Sequence, residues 1–166
     1  KECAEAYMDA HSSDYTSDKH RKQWPATLIT YAYPVIGNML VSDIVMRDVR
    51  NVLEQETVVD VNRKGKLWYV KTETAKRLLG RIKTVLDYAT VNDYRSGTNP
   101  AQWTGYLSTQ LPSPKNLQKK EHHPAVPYQQ MGDFMLKLRT NPSLSAKALE
   151  FLILTAVRSG SVRNAE

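Results

Sequence analysis

Apolar positions recur at three- and four-residue steps along most of the chain, the mark of helices with one buried side. Cys3, Ala6, Tyr7 and Ala10 predict a short amphipathic helix over Glu2 to His11. Ser17 and Asp18 offer an N-cap for a second helix, in which Trp24, Leu28, Tyr31 and Val35 form the core side and Gly37 ends the run. A third helix starts near Ser42 and Asp43 and carries Ile44, Val45, Val49, Val52 and Leu53 on one side. From Thr57 to Val70 the period changes. Val58, Val59 and Val61, then Asn62-Arg63-Lys64-Gly65, then Leu67, Trp68 and Tyr69 suit a loop or a small hairpin. The clearest helix runs from Thr72 to Asn92, where Ala75, Leu78, Leu79, Ile82, Val85, Leu86 and Ala89 make a single stripe.

Asn99-Pro100 opens a short helical turn that holds Trp103, and Leu111-Pro112-Ser113-Pro114 stops it, because proline lacks an N–H and disfavours helix in the residue before it. Ser113 to Pro127 contains Lys115, Lys119, Lys120, His122 and His123 between prolines, with little apolar content, and reads as an extended basic linker. Helical pattern returns at Tyr128 with Met131, Phe134, Met135 and Leu138. It returns again after Asn141-Pro142 with Leu144, Ala148, Leu149, Leu152, Ile153 and Ala156. The expected organisation is therefore all-α: a compact domain over residues 1–112, a basic linker over 113–127, and a second helical segment over 128–166.

Composition sharpens this only a little. The 23 Lys and Arg against 17 Asp and Glu leave a net charge of +6, suited to a polyanionic partner, although a solvated basic surface gives the same balance. Cys3 is the one cysteine, which excludes an internal disulfide and a cysteine-based zinc site and fits a reducing, cytoplasmic setting. The apolar run Phe151 to Val157 is too short to span a bilayer, and no signal segment opens the chain, so no membrane partner is expected. No metal and no cofactor are expected either. Lys1 is not an initiator methionine and Glu166 follows directly on a motif, so the sequence reads as a piece of a longer protein.

At 100° per residue, Thr74, Arg77, Arg81 and Thr84 share a face of the Thr72 to Asn92 helix away from its apolar stripe. Guanidiniums one turn apart, flanked by hydroxyls, can meet phosphates or read guanine edges in a major groove; a solvated polar face has the same pattern. On the second helix His20, Gln23, Thr27 and Thr30 form a comparable stripe, with Lys19, Arg21 and Lys22 adding charge near its beginning. In the linker, His122 and His123 have no cysteine partner and no helical pairing. They read as phosphate-contacting or solvated groups beside Lys119 and Lys120 rather than as metal ligands.

The stretch Ala148 to Ala165, through Thr155-Ala156-Val157-Arg158-Ser159-Gly160, closely resembles the surroundings of the first catalytic arginine of tyrosine recombinases, with Arg158 at the arginine itself. An apolar helix ending at Gly160 would hold that guanidinium at its end, where its fork can take two oxygens of one phosphate. Other blocks resemble the core-binding domain of P4-type prophage integrases. They are Glu2 to Tyr7, Lys19 to Trp24, Thr30 to Gly37, Lys71 to Leu78 and Tyr94 to Ala101, with His122 to Ala125 resembling the linker.

The resemblance implies a SAM-like helical core-binding domain, the linker, and the first helices of a truncated catalytic domain. It implies double-stranded DNA, the core of an attachment site, and further integrase protomers as partners, with no small-molecule substrate. It implies a tyrosine nucleophile that forms a 3′-phosphotyrosyl intermediate, with Arg158 steadying charge on the phosphate. The expected DNA contacts are Lys19, His20, Gln23, Lys71, Thr72, Thr74, Arg77, Arg81, Lys119, Lys120, His122 and His123. Ser161 replaces the usual family glutamate, and Asn164 stands where this branch often has glycine. The family's remaining catalytic groups, its tyrosine among them, are expected beyond Glu166, so the chain should bind DNA and not cleave it. The rivals are a non-enzymatic helical DNA-binding protein and a helical protein-interaction domain.

Overall fold

The computed structural model describes residues 1–14, 18–60, 63–117 and 123–164; for residues 18–20, 60 and 63 it describes the backbone alone. Among the described residues the architecture is all-α apart from one small hairpin. By packing, the chain divides into two compact units, residues 1–120 and 121–166.

In the first unit, α1 (Glu2–Ala10) lays Ala4 into the core, with Cys3 and Tyr7 beside it. Ala6 and Ala10, expected on the buried side, face solvent. The second helix is interrupted. α2 (Asp18–Thr27) passes into a wider π turn, Leu28–Ala32, before α3 (Tyr33–Ile36), and Gly37 follows as expected. Pro34 has no N–H for an ordinary helical bond back to Thr30, and inserting a wider turn is one way a helix absorbs such a gap. The turn shifts the phase of the buried side, so Leu28, Ala32 and Ile36 are in the core while Val35 is exposed.

The third helix, α4 (Met46–Glu54), starts later than Ser42 and Asp43 suggested. Residues 41–43 form a turn, Val45 sits extended as the N-cap, and its N–H donates to Asp48 Oδ2 at 3.0 Å. A carboxylate in the first turn satisfies one of the orphan donors there. Val49, Val52 and Leu53 are completely buried.

The ambiguous stretch is an antiparallel hairpin, β1 (Glu56–Asp60) and β2 (Arg63–Lys66), with Val58 opposite Lys64 and an irregularity between Val58 and Asp60. It leads into α5 (Leu67–Val70), whose Leu67 and Trp68 are fully buried. Trp68 stacks on Trp103 with ring centres 5.3 Å apart, and its indole N–H donates to the Pro112 carbonyl at 3.0 Å.

The long helix α6 (Thr72–Val91) runs through the middle of this unit, and all seven stripe residues are buried as its periodicity predicts. Its end is closed by a Schellman arrangement: Asp93 adopts a left-handed conformation, φ 59°, while Tyr94 N–H bonds the Ala89 carbonyl and Asp93 N–H the Thr90 carbonyl. The following segment is tied back by two buried polar residues. Arg95 donates to the carbonyls of Val41 and Thr98. Asn99 donates to the Lys83 carbonyl and to Asp87 Oδ1, and accepts from Ala101 N–H.

The segment read as an extended linker departs from that reading at its start. Pro114–Leu117 forms a helical turn, α7, and Leu117 packs against the core of the first unit. The second unit consists of α8 (Met131–Arg139), α9 (Leu144–Thr155) and the short α10 (Ser159–Arg163). Ser143 caps α9 by accepting from Ala146 N–H, and Arg139 Nε pairs with Glu150 Oε1 at 2.6 Å across α8 and α9. No helix among the described residues is long and apolar enough to cross a membrane.

Candidate nucleic-acid interface

The start of α6 carries the expected contact residues, and the structure sorts them by how freely they meet solvent. Arg77 is the most open. Its guanidinium is about two-thirds exposed and shares one exposed ion pair with Glu73, 3.1 Å away and one turn earlier. Such a pair exchanges readily, because surface ion pairs contribute little net free energy. Thr74 is half-buried beside it. Lys71 caps the helix and reaches Tyr31, with Nζ 3.4 Å from the hydroxyl and 5.9 Å from the ring centre.

Two members of the expected set have other work. Thr72 is buried, and its hydroxyl faces the Tyr69 carbonyl at 3.4 Å, so it does not present a donor to solvent. Arg81 folds over α2, where it donates to the Gln23 carbonyl at 2.7 Å, the Trp24 carbonyl at 3.4 Å and the Thr27 hydroxyl, and it lies over the Trp24 ring at 5.7 Å. It is a clamp between two helices. The helical wheel put Arg81 on the polar face correctly. It could not show that α2 lies alongside that flank and offers its carbonyls to the guanidinium.

On α2, Gln23 is exposed, and Lys19 and His20 lie in its first turn with their side chains outside the described residues. Lys119, Lys120 and His122 also fall outside the described residues, while His123 is exposed. No cluster of three or more His, Cys, Asp or Glu among the described residues could hold a metal.

Arg158 belongs to the second unit. The sequence placed it at the end of an apolar helix closing at Gly160, but α9 ends at Thr155. Ala156 takes a left-handed turn, φ 52°, and Arg158 sits extended and exposed as the N-cap of α10, with Gly160 inside that next short helix. The resemblance singles out Arg158 by residue type and motif alone. The turn at Ala156, which lacks the glycine that usually marks such a position, hid the true helix boundary.

Electrostatics around the first unit follow from its ties. Burial would raise the Asp87 carboxyl, but hydrogen bonds from Lys83 and Asn99 and the charges of Lys83 and Arg95 outweigh it and hold its pKa below the ordinary value. Lys66 is held above its ordinary value by its hydrogen bond to Glu54, 2.9 Å away, and by that carboxylate's charge. The flank of α6 bearing Lys76 and Lys83 was not part of the predicted stripe.

Three comparisons bear on this arrangement. Residues 1–106 match the family described as phage integrase central domain. The chain is 28% identical over 149 residues to the integrase of Enterobacteria phage P4, an alignment that covers 89% of this chain and only 30% of that protein. The chain thus spans less than a third of the length of this relative. The solution NMR structure of protein Nmul_A0922 from Nitrosospira multiformis is similar over 74% of this chain and 96% of its own, with 41% identity and a TM-score of 0.53. With well over half of its residues matched, and with a helical domain of the expected kind, this chain belongs to the phage integrase central-domain family.

Proposed function

We propose that this chain is the DNA-gripping part of a site-specific tyrosine recombinase, an integrase that inserts or excises prophage or island DNA. The observation that carries the reading is the exposed basic start of α6, led by Arg77, in a domain of the phage integrase family. Guanidiniums and ammoniums along a helix neutralise phosphates of a duplex; Arg77, Gln23 and His123 are the exposed groups, Lys71 and Thr74 stand half-buried beside them, Lys19, Lys119 and Lys120 add charge from α2 and the linker, and His20 and His122 add further polar groups there. Arg81 acts through α2, which it holds in place.

In the complete recombinase a tyrosine oxygen attacks the scissile phosphorus, the 5′-oxygen leaves and takes up a proton, and a 3′-phosphotyrosyl bond stores the energy for rejoining. Arg158 binds the non-bridging oxygens and stabilises their charge in the transition state. Its extended, exposed N-cap position leaves both prongs of the fork available. The chain itself binds duplex DNA without cleaving it. Further protomers on paired sites act on the other strands.

Affinity for a fluorescent duplex as a function of salt tests the reading. The logarithm of the association constant should fall with log salt by about 0.9 per phosphate neutralised, and Arg77→Ala should reduce that slope by about one. Absence of binding at low salt sinks it. In the complete recombinase Arg158→Ala should keep affinity and abolish strand transfer. A covalent adduct trapped on a nicked duplex by the 166-residue chain alone would refute the claim that it cannot cleave.

A further inference from the structure

Near the middle of α6, Gly80 is exposed on the helix surface, and a Cβ built there would meet no atom within 4 Å. Glycine inside a helix destabilises it relative to alanine. Here no close packing and no left-handed backbone explains its presence. Its neighbours on the helix surface are Lys76 and Arg77 one turn before and Lys83 and Thr84 one turn after; the three basic side chains carry N–H donors, while the Thr84 hydroxyl donates to the Gly80 carbonyl at 3.0 Å. The Arg77 pair with Glu73 is open to solvent, Lys83 is shared with Asp87 at 2.6 Å, and Lys76 makes no ion pair among the described residues. Alongside Gly80 runs a groove of about 530 Å³, mostly apolar through residues such as Leu79, Trp103 and Pro114, into which Lys76, Lys83 and Lys115 also bring their side chains.

We infer that Gly80 is a close-approach seat for the phosphate backbone of duplex DNA, with Lys76, Lys83 and Lys115 holding the phosphates around it. A bare stretch of backbone flanked by Lys76, by Lys115, and by Arg77 and Lys83 in exchangeable surface pairs lets a strand lie against the helix where any side chain would hold it off. Lys76 and Lys83 are seven residues apart, about 10 Å along the helix axis, a span that two flexible ammonium arms can close onto nearby phosphates of one strand and that is too long for one small anion. The inference rests on the DNA-binding reading. It turns the contact face of α6 away from the flank that Arg81 closes against α2, with Arg77 common to both faces.

The experiment measures salt-dependent affinity for a fluorescent duplex, and thermal melting, on the 166-residue chain and on Gly80→Ala, Gly80→Leu, Lys76→Ala and Lys115→Ala. Gly80→Ala should raise the melting temperature by about 4 °C, as helix propensity dictates, and yet lose affinity several-fold, with Gly80→Leu losing more. Lys76→Ala and Lys115→Ala should each reduce the salt slope by about one. Wild-type affinity in the Gly80 variants, or unchanged slopes in both lysine variants, overturns the seat while leaving DNA binding through Arg77 intact. A lowered melting temperature in Gly80→Ala also overturns it, because the glycine would then serve the fold. Failure of the unsubstituted chain to bind defeats the DNA reading itself.

Discussion

The two units are built from helices of similar pattern, but they treat their apolar residues in opposite ways. In residues 1–120, Leu53, Leu67, Trp68, Leu78 and Leu107 are shielded completely. In residues 121–166, Ala146 alone is buried among the described residues, while Leu144 is 81% exposed, Leu154 66% and Phe151 51%. The apolar residues of α9 are spread more evenly round the helix than the single stripe of α6, and the surroundings differ further. What differs is the number of layers: α6 is met by α1, α4, α5 and the π turn, whereas α9 packs against α8 and α10. A helical stripe states which side wants cover, and only other elements can supply it.

The largest expected effect tests that contrast directly. Trp68→Ala removes a fully buried ring, its stack on Trp103 and its bond to the Pro112 carbonyl, and should cost about 3 to 5 kcal/mol in denaturant unfolding of the first unit. Leu154→Ala, on the open side of α9, should change stability by less than about 0.5 kcal/mol. Similar losses from the two substitutions would mean that the second unit has a core after all.

Asn99→Ala comes next, because it strands the buried groups that Asn99 satisfies at Lys83, Asp87 and Ala101; the cost should be about 1 to 3 kcal/mol. The same site carries an acid dependence. A carboxyl whose folded pKa lies below its unfolded one contributes stability above the unfolded value, here near 3.8, and loses it as pH falls through the folded value. Stability should therefore drop as pH falls below about 4, and Asp87→Asn should flatten that part of the profile. An unchanged acid limb in Asp87→Asn would remove Asp87 as its source.

How far the sequence reveals the molecule follows from the same logic. The α6 stripe is legible because seven residues repeat one period without interruption, and the core domain is legible through its family resemblance. Val35 and Ile36 exchange places because the π turn at Leu28–Ala32 adds a phase shift that a fixed 100° wheel cannot contain. In α1 the side shielded by the fold falls on Ala4 rather than on Ala6 and Ala10. At the candidate interface, residue type and spacing locate the donors, but which donors are already spent depends on neighbours distant in sequence. Arg81 meets carbonyls 57 and 58 positions away. Gly80, having no side chain, offers a periodicity reading nothing to count.

Arg81 and Arg77, one turn apart, should therefore separate stability from binding. Arg81→Ala removes charge-assisted bonds to α2 and a ring contact, a loss of about 1 to 2 kcal/mol for a half-exposed group. Arg81→Lys should recover only part of this, since an ammonium cannot reproduce the fork. Arg77→Ala should leave stability within about 0.5 kcal/mol and act on the salt slope of DNA binding. If Arg81→Ala changed the slope and not the melting curve, the assignment of the two arginines would be reversed.

The smallest effect compares two helix ends. Asp93 after α6 and Ala156 after α9 both sit in the left-handed region, with φ of 59° and 52°. The first is locked by both Schellman bonds, while no backbone bond from Val157 or Arg158 closes the second among the described residues. Aspartate tolerates this conformation through its short polar side chain, and alanine has no such compensation, so its Cβ crowds the following carbonyl. Ala156→Gly should therefore stabilise α9 by about 1 kcal/mol, read as slower amide exchange over Leu152 to Thr155, whereas Asp93→Gly should gain less. Because Arg158 stands two residues beyond this turn, the same substitution loosens the backbone that carries it. On the proposed recombinase reading, Ala156→Gly in the complete protein should stiffen the helix and slow strand transfer together. Faster exchange in Ala156→Gly would mean that the alanine is held by contacts worth more than its strain.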